Sequence, residues 1–251
     1  MTDFFAEFQL STLDWVLFFI AGAIIGMSKT GVAGVSYIVI PIMVFIFGAK
    51  PSTGLLLPIL SLADIFAVSY YRRSADWHHI IKLMPIAIIG VLLGTIFGEY
   101  ISAHLFKISM GIIVLIGIVV MLVMERRKNK AVPSHWFFST GTGLFAGFST
   151  MIGNAAGSIM AVYMLSMRMP KNIFIGTTAW FFMILNLTKF PSHIFVWKTI
   201  TFKSLLLDLT VLPGIALGAY LGFIIVKRIP ERAYRYFVLI VTILSAFLLF
   251  I

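Results

Sequence analysis

Cysteine is absent from the chain. That excludes disulfides, thiolate catalysis and cysteine-ligated metals together. Charge is scarce too: only 11% of the 251 residues are charged, and nine Asp and Glu face 19 Lys and Arg. A soluble domain averages roughly a quarter charged and about half apolar, whereas here 61% of residues are hydrophobic and mean hydropathy is +1.06. No nucleotide-binding loop, Gly-x-Ser-x-Gly elbow or His-Glu-x-x-His helix occurs, so direct ATP drive and two common hydrolytic chemistries lack their residues. Met1–Asp14 holds Asp3, Glu7 and Asp14 but no basic residue. A cleaved signal peptide needs a positive start, so the first apolar run reads as a retained helix.

What is present is a series of apolar runs. Trp15–Ile25 and Met110–Met124 are apolar on all sides, without the alternation of a β-barrel strand, and such runs satisfy their backbone groups in lipid only as helices. The expected fold is therefore all-α: a polytopic transmembrane bundle in the cell membrane. Runs between Pro, Gly and charge breaks give ten segments, 10–28, 35–48, 51–71, 78–98, 105–124, 134–151, 155–168, 171–190, 201–227 and 232–250. A crossing needs about 20 apolar residues, so the second and seventh are short, and each follows a Gly-rich break. They are either broken crossings or arms of re-entrant hairpins.

The net charge of +10 lies in short clusters between apolar runs, the usual topology signal of membrane proteins, and no nucleic-acid motif accompanies it. With the N-terminus outside, the inner side receives Lys29, Arg72, Arg73, Lys82, Arg126, Arg127, Lys128, Lys130, Arg168, Lys171, Lys227, Arg228, Arg232 and Arg235. The outer side receives Lys50, Lys107, Lys189, Lys198 and Lys203. Both termini are expected outside.

The chain also repeats itself. Pro85-x4-Gly90-x3-Gly94 matches Pro213-x4-Gly218-x3-Gly222, Gly31 and Gly153 head similar small-residue runs, and Pro51 and Pro170 each open the next helix. Residues 1–125 form the first expected repeat, 126–133 a basic cytoplasmic linker and 134–251 the second repeat. Each half holds an odd number of crossings, so the second is inverted. That architecture places substrate near the midplane between broken helices.

A helix that starts inside the membrane turns free N–H groups and its positive dipole end toward a cavity, which favours an anion. At the first break Ser28, Lys29, Thr30, Gly31, Gly34 and Ser36 are the candidate contacts; at the second, Ser149, Thr150, Gly153, Asn154, Gly157 and Ser158. Hydroxyls and an amide donate to oxyanion oxygens, and Lys29 either adds a full charge or is a cytoplasmic loop lysine. Gly90/Gly94 and Gly218/Gly222 read as close-packing pairs. Asp64 and Asp208 are the only acids well inside apolar segments and are candidates for proton coupling. Asp64, within two turns of Arg72, is alternatively a paired structural group; Asp208 is alternatively interfacial. Thr177 and Trp180, with Asn172, Thr178 and Asn186, lie along the eighth segment and are candidates to face a pathway. Trp77 and Trp197 read as belt aromatics.

Gly31-Val-Ala-Gly34 and Gly153-Asn-Ala-Ala-Gly157, followed by Pro51 and Pro170, resemble the paired Gly-rich stretches of the sulfite exporter TauE/SafE family, also called the 4-toluene sulfonate uptake permease family. The likeness covers nearly the whole chain, although Ala33, Ala155 and Ala156 stand where the family's pattern has more glycine. It implies a secondary transporter for small anions such as sulfite or organosulfonates, coupled to the proton gradient. The expected partners are a small anionic substrate and the bilayer, with homo-oligomers open, and neither a cofactor nor nucleic acid. The competing classes are an anion channel and an intramembrane lipid-pyrophosphate phosphatase. The phosphatase needs a nucleophile with a base or clustered carboxylates, and the two intramembrane acids are 144 residues apart.

Overall fold

A computed structural model describes residues 8–32, 35–126, 136–167 and 169–230, with positions 233, 236 and 240 beyond them. All regular structure among these residues is helical. Helix α1 (Thr12–Lys29) starts on a capping box, in which Ser11 Oγ accepts from the Asp14 N–H and the Asp14 carboxylate accepts from the Ser11 N–H. It is followed by a short 3-10 turn (Val35–Ile38) that runs into α2 (Val39–Phe47). Helices α3 (Ala49–Tyr71), α4 (Trp77–Tyr100) and α5 (Ala103–Arg126) complete the first half. The second half holds α6 (Trp136–Gly153), α7 (Gly157–Ser166), α8 (Lys171–Pro191), a π-helical turn (Ser192–Val196), α9 (Phe202–Thr210) and α10 (Leu212–Arg228).

Among the described residues four helices are long and apolar enough to cross a membrane, and the bent pair α9 and α10 passes the same test only when the two are taken as one span. The ninth expected segment is thus two helices meeting at 49°. Pro213, near the start of α10, has no N–H to continue α9. The tenth expected segment, 232–250, and the linker, 126–133, lie almost wholly outside the described residues. Side chains such as Leu92, Leu93 and Ile96 on α4 are about half exposed, an outward apolar surface that suits lipid and not water.

Both Gly-rich breaks interrupt helices, by different means. Gly31 sits at φ 144°, and a Cβ there would overlap Val226. In the second break Gly153 remains helical and Asn154 takes the left-handed turn at φ 53°, a conformation Asn tolerates better than most residues. Gly34 lies outside the described residues.

Chain direction follows from the contacts. Thr30, at the end of α1, accepts on its carbonyl from Tyr71 Oη at the end of α3 (3.4 Å), so these helices run the same way. Phe47, at the end of α2, meets Phe18 in the first half of α1 at 5.4 Å, so α2 returns between them. α8 runs opposite to α3: Gly176 lies against Tyr71 and Ser74, and Trp197 against Lys50. α1 pairs with α10 and α4 with α6, each pair running in one direction.

The matching Pro/Gly motifs make those two pairings. Gly90 and Gly94 lie on the α6 backbone around Leu144–Phe148 and Met151, while Gly218 and Gly222 lie on α1 at Ala23, Met27 and Thr30. α6 answers with Gly147 against the Ala87 carbonyl. A side chain here meets backbone oxygen, which cannot move aside as a flexible side chain can. Gly147→Val and Gly218→Val should each cost more than the roughly 1–3 kcal/mol of ordinary overpacking. The expected result is loss of the folded peak in size-exclusion chromatography. Gly141→Val, where a Cβ meets nothing within 4 Å, should elute as the parent does.

Basic residues gather at one end. Lys171, opening α8, donates to the carbonyls of Val226 (2.9 Å) and Ile229 (3.0 Å) at the end of α10. Lys227 lies over Tyr70 at 5.4 Å, beside Arg72 and Arg73 at the end of α3.

Candidate anion site

One cavity lies where the two breaks converge. Ser28, Lys29, Gly31 and Ser36 line it from the first break, and Thr150, Asn154 and Gly157 from the second. α3 adds Leu60, α7 adds Ala161, and α8 adds Phe174, Ile175, Thr178, Ala179, Phe182 and Asn186. Its volume of about 70 Å³, on the measure by which one water needs roughly 10–15 Å³, admits an oxyanion of a few heavy atoms. α7 starts at Gly157, so its free N–H groups and positive dipole end lie at the cavity wall.

A buried polar chain forms the wall. Lys29 Nζ pairs with Asp64 Oδ1 at 2.8 Å and lies 4.5 Å from the Phe182 ring centroid. Asn186 Nδ2 donates to the other Asp64 oxygen at 2.8 Å, which turns the amide oxygen of Asn186 toward Lys189. Asn154 is oriented the same way: its Nδ2 donates to the Thr53 carbonyl (3.3 Å), leaving Oδ1 to accept from Lys189 Nζ at 2.6 Å. Lys189 also donates to Asn186 Oδ1 and Thr150 Oγ1, each at 3.2 Å. Three acceptors match the three N–H donors of an ammonium.

Lys189 is fully buried and none of its acceptors is a carboxylate. With both lysines protonated, two lysines and one aspartate leave the wall with one positive charge in excess among the described residues. A buried ammonium without a counter-ion is costly, and an anion in the cavity beside Thr150, Asn154 and Asn186 offsets that cost.

Several expected residues lie elsewhere. Thr30 Oγ1 donates to the carbonyls of Gly26 and Ala219, both at 3.0 Å, and so ties α1 to α10. Ser149 Oγ donates to the Ala146 carbonyl within α6, and Gly153 lies against Met110. The Ser158 side chain lies outside the described set. Thr177 Oγ1 accepts from the Asp76 N–H at 2.8 Å, and Trp180 lies against Trp77 with ring centroids 5.1 Å apart. At about 100° per residue, Thr177 and Trp180 lie on the far side of α8 from Ile175, Thr178, Phe182 and Asn186. Asp64 meets Lys29 and Asn186, not Arg72. Asp208 is buried at 1% exposure instead of interfacial, and both its oxygens lack a hydrogen bond among the described residues. Trp197 is no belt residue: it is 6% exposed and its Nε1 donates to the Thr95 carbonyl at 3.1 Å.

Lys189 is the main residue that sequence reasoning misplaced. It counted as an outer-side charge because it stands one residue from the end of an apolar run, before Phe190-Pro191. The available signal was its spacing of three from Asn186, which puts both on one helix face.

The family model described as Sulfite exporter TauE/SafE matches residues 18–249, nearly the whole chain. No curated protein and no solved structure matches it.

Proposed function

Because the chain belongs to the sulfite exporter TauE/SafE family, a family of membrane transporters and not of enzymes, we propose that it carries a small oxyanion of the sulfite or organosulfonate type through the cavity between its two Gly-rich breaks. The observation that supports this reading most is Lys189, a buried ammonium held by three neutral oxygens beside a cavity of oxyanion size. Lys29, Ser28, Ser36, Thr150, Asn154 and the start of α7 are the proposed substrate contacts.

The two halves are proposed to be inverted repeats, residues 1–125 and 134–251. Support comes from exchange of partners: α1 with α10 and α4 with α6 are the same pairing with the halves swapped. The basic end that holds Arg72, Lys171 and Lys227 is proposed to face the cytoplasm of a plasma-membrane protein. Proton coupling is part of the proposal, with Asp208 the stronger candidate. Asp64 is committed to Lys29 and Asn186, whereas Asp208 has both oxygens without a hydrogen bond among the described residues.

Purified protein in proteoliposomes tests the function. Saturable sulfite uptake is expected, inhibited by organosulfonates, faster under an imposed pH gradient and indifferent to added ATP. Uptake no faster than in protein-free vesicles for sulfite, sulfonates and carboxylates alike contradicts the reading.

A further inference from the structure

The cavity ends before the protein does. Along α8, Ile175, Thr178, Phe182 and Asn186 line it, and Lys189 and His193 follow at spacings of three and four. At about 100° per residue these six positions form one stripe. The stripe is open along the cavity and closed beyond it, since Lys189 and His193 are both 0% exposed. Whatever the cavity holds must pass these two residues to leave by the Lys50 end.

The closing segment is unusual in its backbone. Ser192–Val196 is a π-helical turn, and π-turns concentrate at functional sites. Lys198 has φ 52°, a left-handed conformation that a lysine adopts at a cost of order 1–3 kcal/mol. The His193 carbonyl accepts from the N–H groups of Thr199 (2.9 Å) and Ile200 (3.4 Å), folding the segment over itself. It is wedged between two helices at glycines: a Cβ at Gly54 of α3 would come within 2.6 Å of Thr199, and one at Gly98 of α4 would overlap the Trp197 ring.

His193 stands at the centre. Its Nδ1 bonds Thr199 Oγ1 at 2.8 Å, its ring meets Trp197 at 5.0 Å, and its Nε2 is buried with no partner among the described residues. The charged groups that act on it are Lys189 from the cavity side and Lys50 from the other. Lys50 lies over Trp197 at 5.2 Å and is tied to Glu99 at 3.0 Å, a pair that reaches solvent. Basic residues therefore mark successive steps: Lys29 and Lys189 at the cavity, His193 in the closing segment, Lys50 at the surface.

We propose that Ser192–Ile200 is the seal on the far side of the cavity, and that His193 Nε2 is the anion's next contact after Lys189 when the seal opens. This rests on the transport reading above and extends it to the route out.

The absence of cysteine allows a test on an unmodified background. Single cysteines at Ser36, in the cavity, and at Thr199, within the seal, are challenged with a membrane-impermeant thiol reagent from each side of a vesicle. Ser36→Cys should react from one side, and Thr199→Cys only from the opposite side and faster with sulfite present. In parallel, His193→Gln and His193→Ala should lower sulfite exchange about tenfold or more, as for a hydrogen bond to a charged ligand, while sulfite binding at equilibrium stays within about threefold of the parent. Reaction of Thr199→Cys from the Ser36 side, or full exchange by His193→Ala, overturns the proposal. If the parent carries no anion at all, the transport reading fails instead, and the sidedness of Thr199→Cys still decides the seal.

Discussion

Lys189→Met should abolish sulfite uptake while leaving a folded protein. Methionine preserves the length and most of the volume of the lysine stem but removes the charge. The loss of a buried charge contact costs roughly 2–5 kcal/mol, equivalent to about 30-fold to a few thousand-fold in affinity. Some instability is also expected, because Asn154 Oδ1 and Asn186 Oδ1 each lose a donor and an unpaired buried acceptor costs about 1–3 kcal/mol. Lys189→Gln separates the two effects. It keeps a donor for one amide oxygen and should recover thermal stability, yet it lacks the charge and should stay inactive. Uptake by Lys189→Gln at the parent's rate would show that the lysine only props the helices apart.

The second large effect is on stability. Asp64→Asn leaves Lys29 beside a neutral amide and removes the one carboxylate that the wall has among the described residues. Breaking one partner of a buried pair costs about 3–5 kcal/mol, and Lys29 is partly exposed, so the lower half of that range applies. Lys29→Met in the same chain should restore most of the lost thermal stability, because Lys29 no longer stands without its carboxylate. A double-mutant cycle measures this coupling. Added sulfite should raise the melting temperature of Asp64→Asn more than that of the parent, since the bound anion takes the place of the carboxylate and ligand binding to the folded state stabilises it. Equal shifts would mean that sulfite does not bind near Lys29.

The fold was readable in the sequence where physics leaves one choice. All-round apolar runs in lipid must be helices, so Trp15–Ile25 and Met110–Met124 admitted no alternative. The Gly90/Gly94 and Gly218/Gly222 pairs were readable as packing because small residues at four-residue spacing bring backbones together, and they lie on α6 and α1. The ninth segment misled because hydropathy does not register a bend: 201–227 is apolar on average, and only Pro213 hints that α9 and α10 part.

The candidate site was half legible. Both Gly breaks announce interrupted helices, and seven of their named residues line the cavity. Which face of α8 joins them was not legible, because Thr177 and Thr178 are adjacent and either can begin a polar stripe. One residue of phase decides it: from Thr178 the stripe runs through Phe182 and Asn186 to Lys189 and His193. Pairings within each half, Lys29 with Asp64 in the first and Lys189 with Asn154 in the second, span 35 residues in each case. No local pattern in the chain encodes them.

The central claim is that the anion binds where the two breaks meet. A structure determined with sulfite at saturating concentration tests it most directly. Density for one anion within hydrogen-bonding distance of Lys29 or Ser36 on one side and of Thr150 or Asn154 on the other is the predicted result. An anion seated elsewhere in the bundle, or this cavity empty in a protein that transports sulfite, would contradict the account.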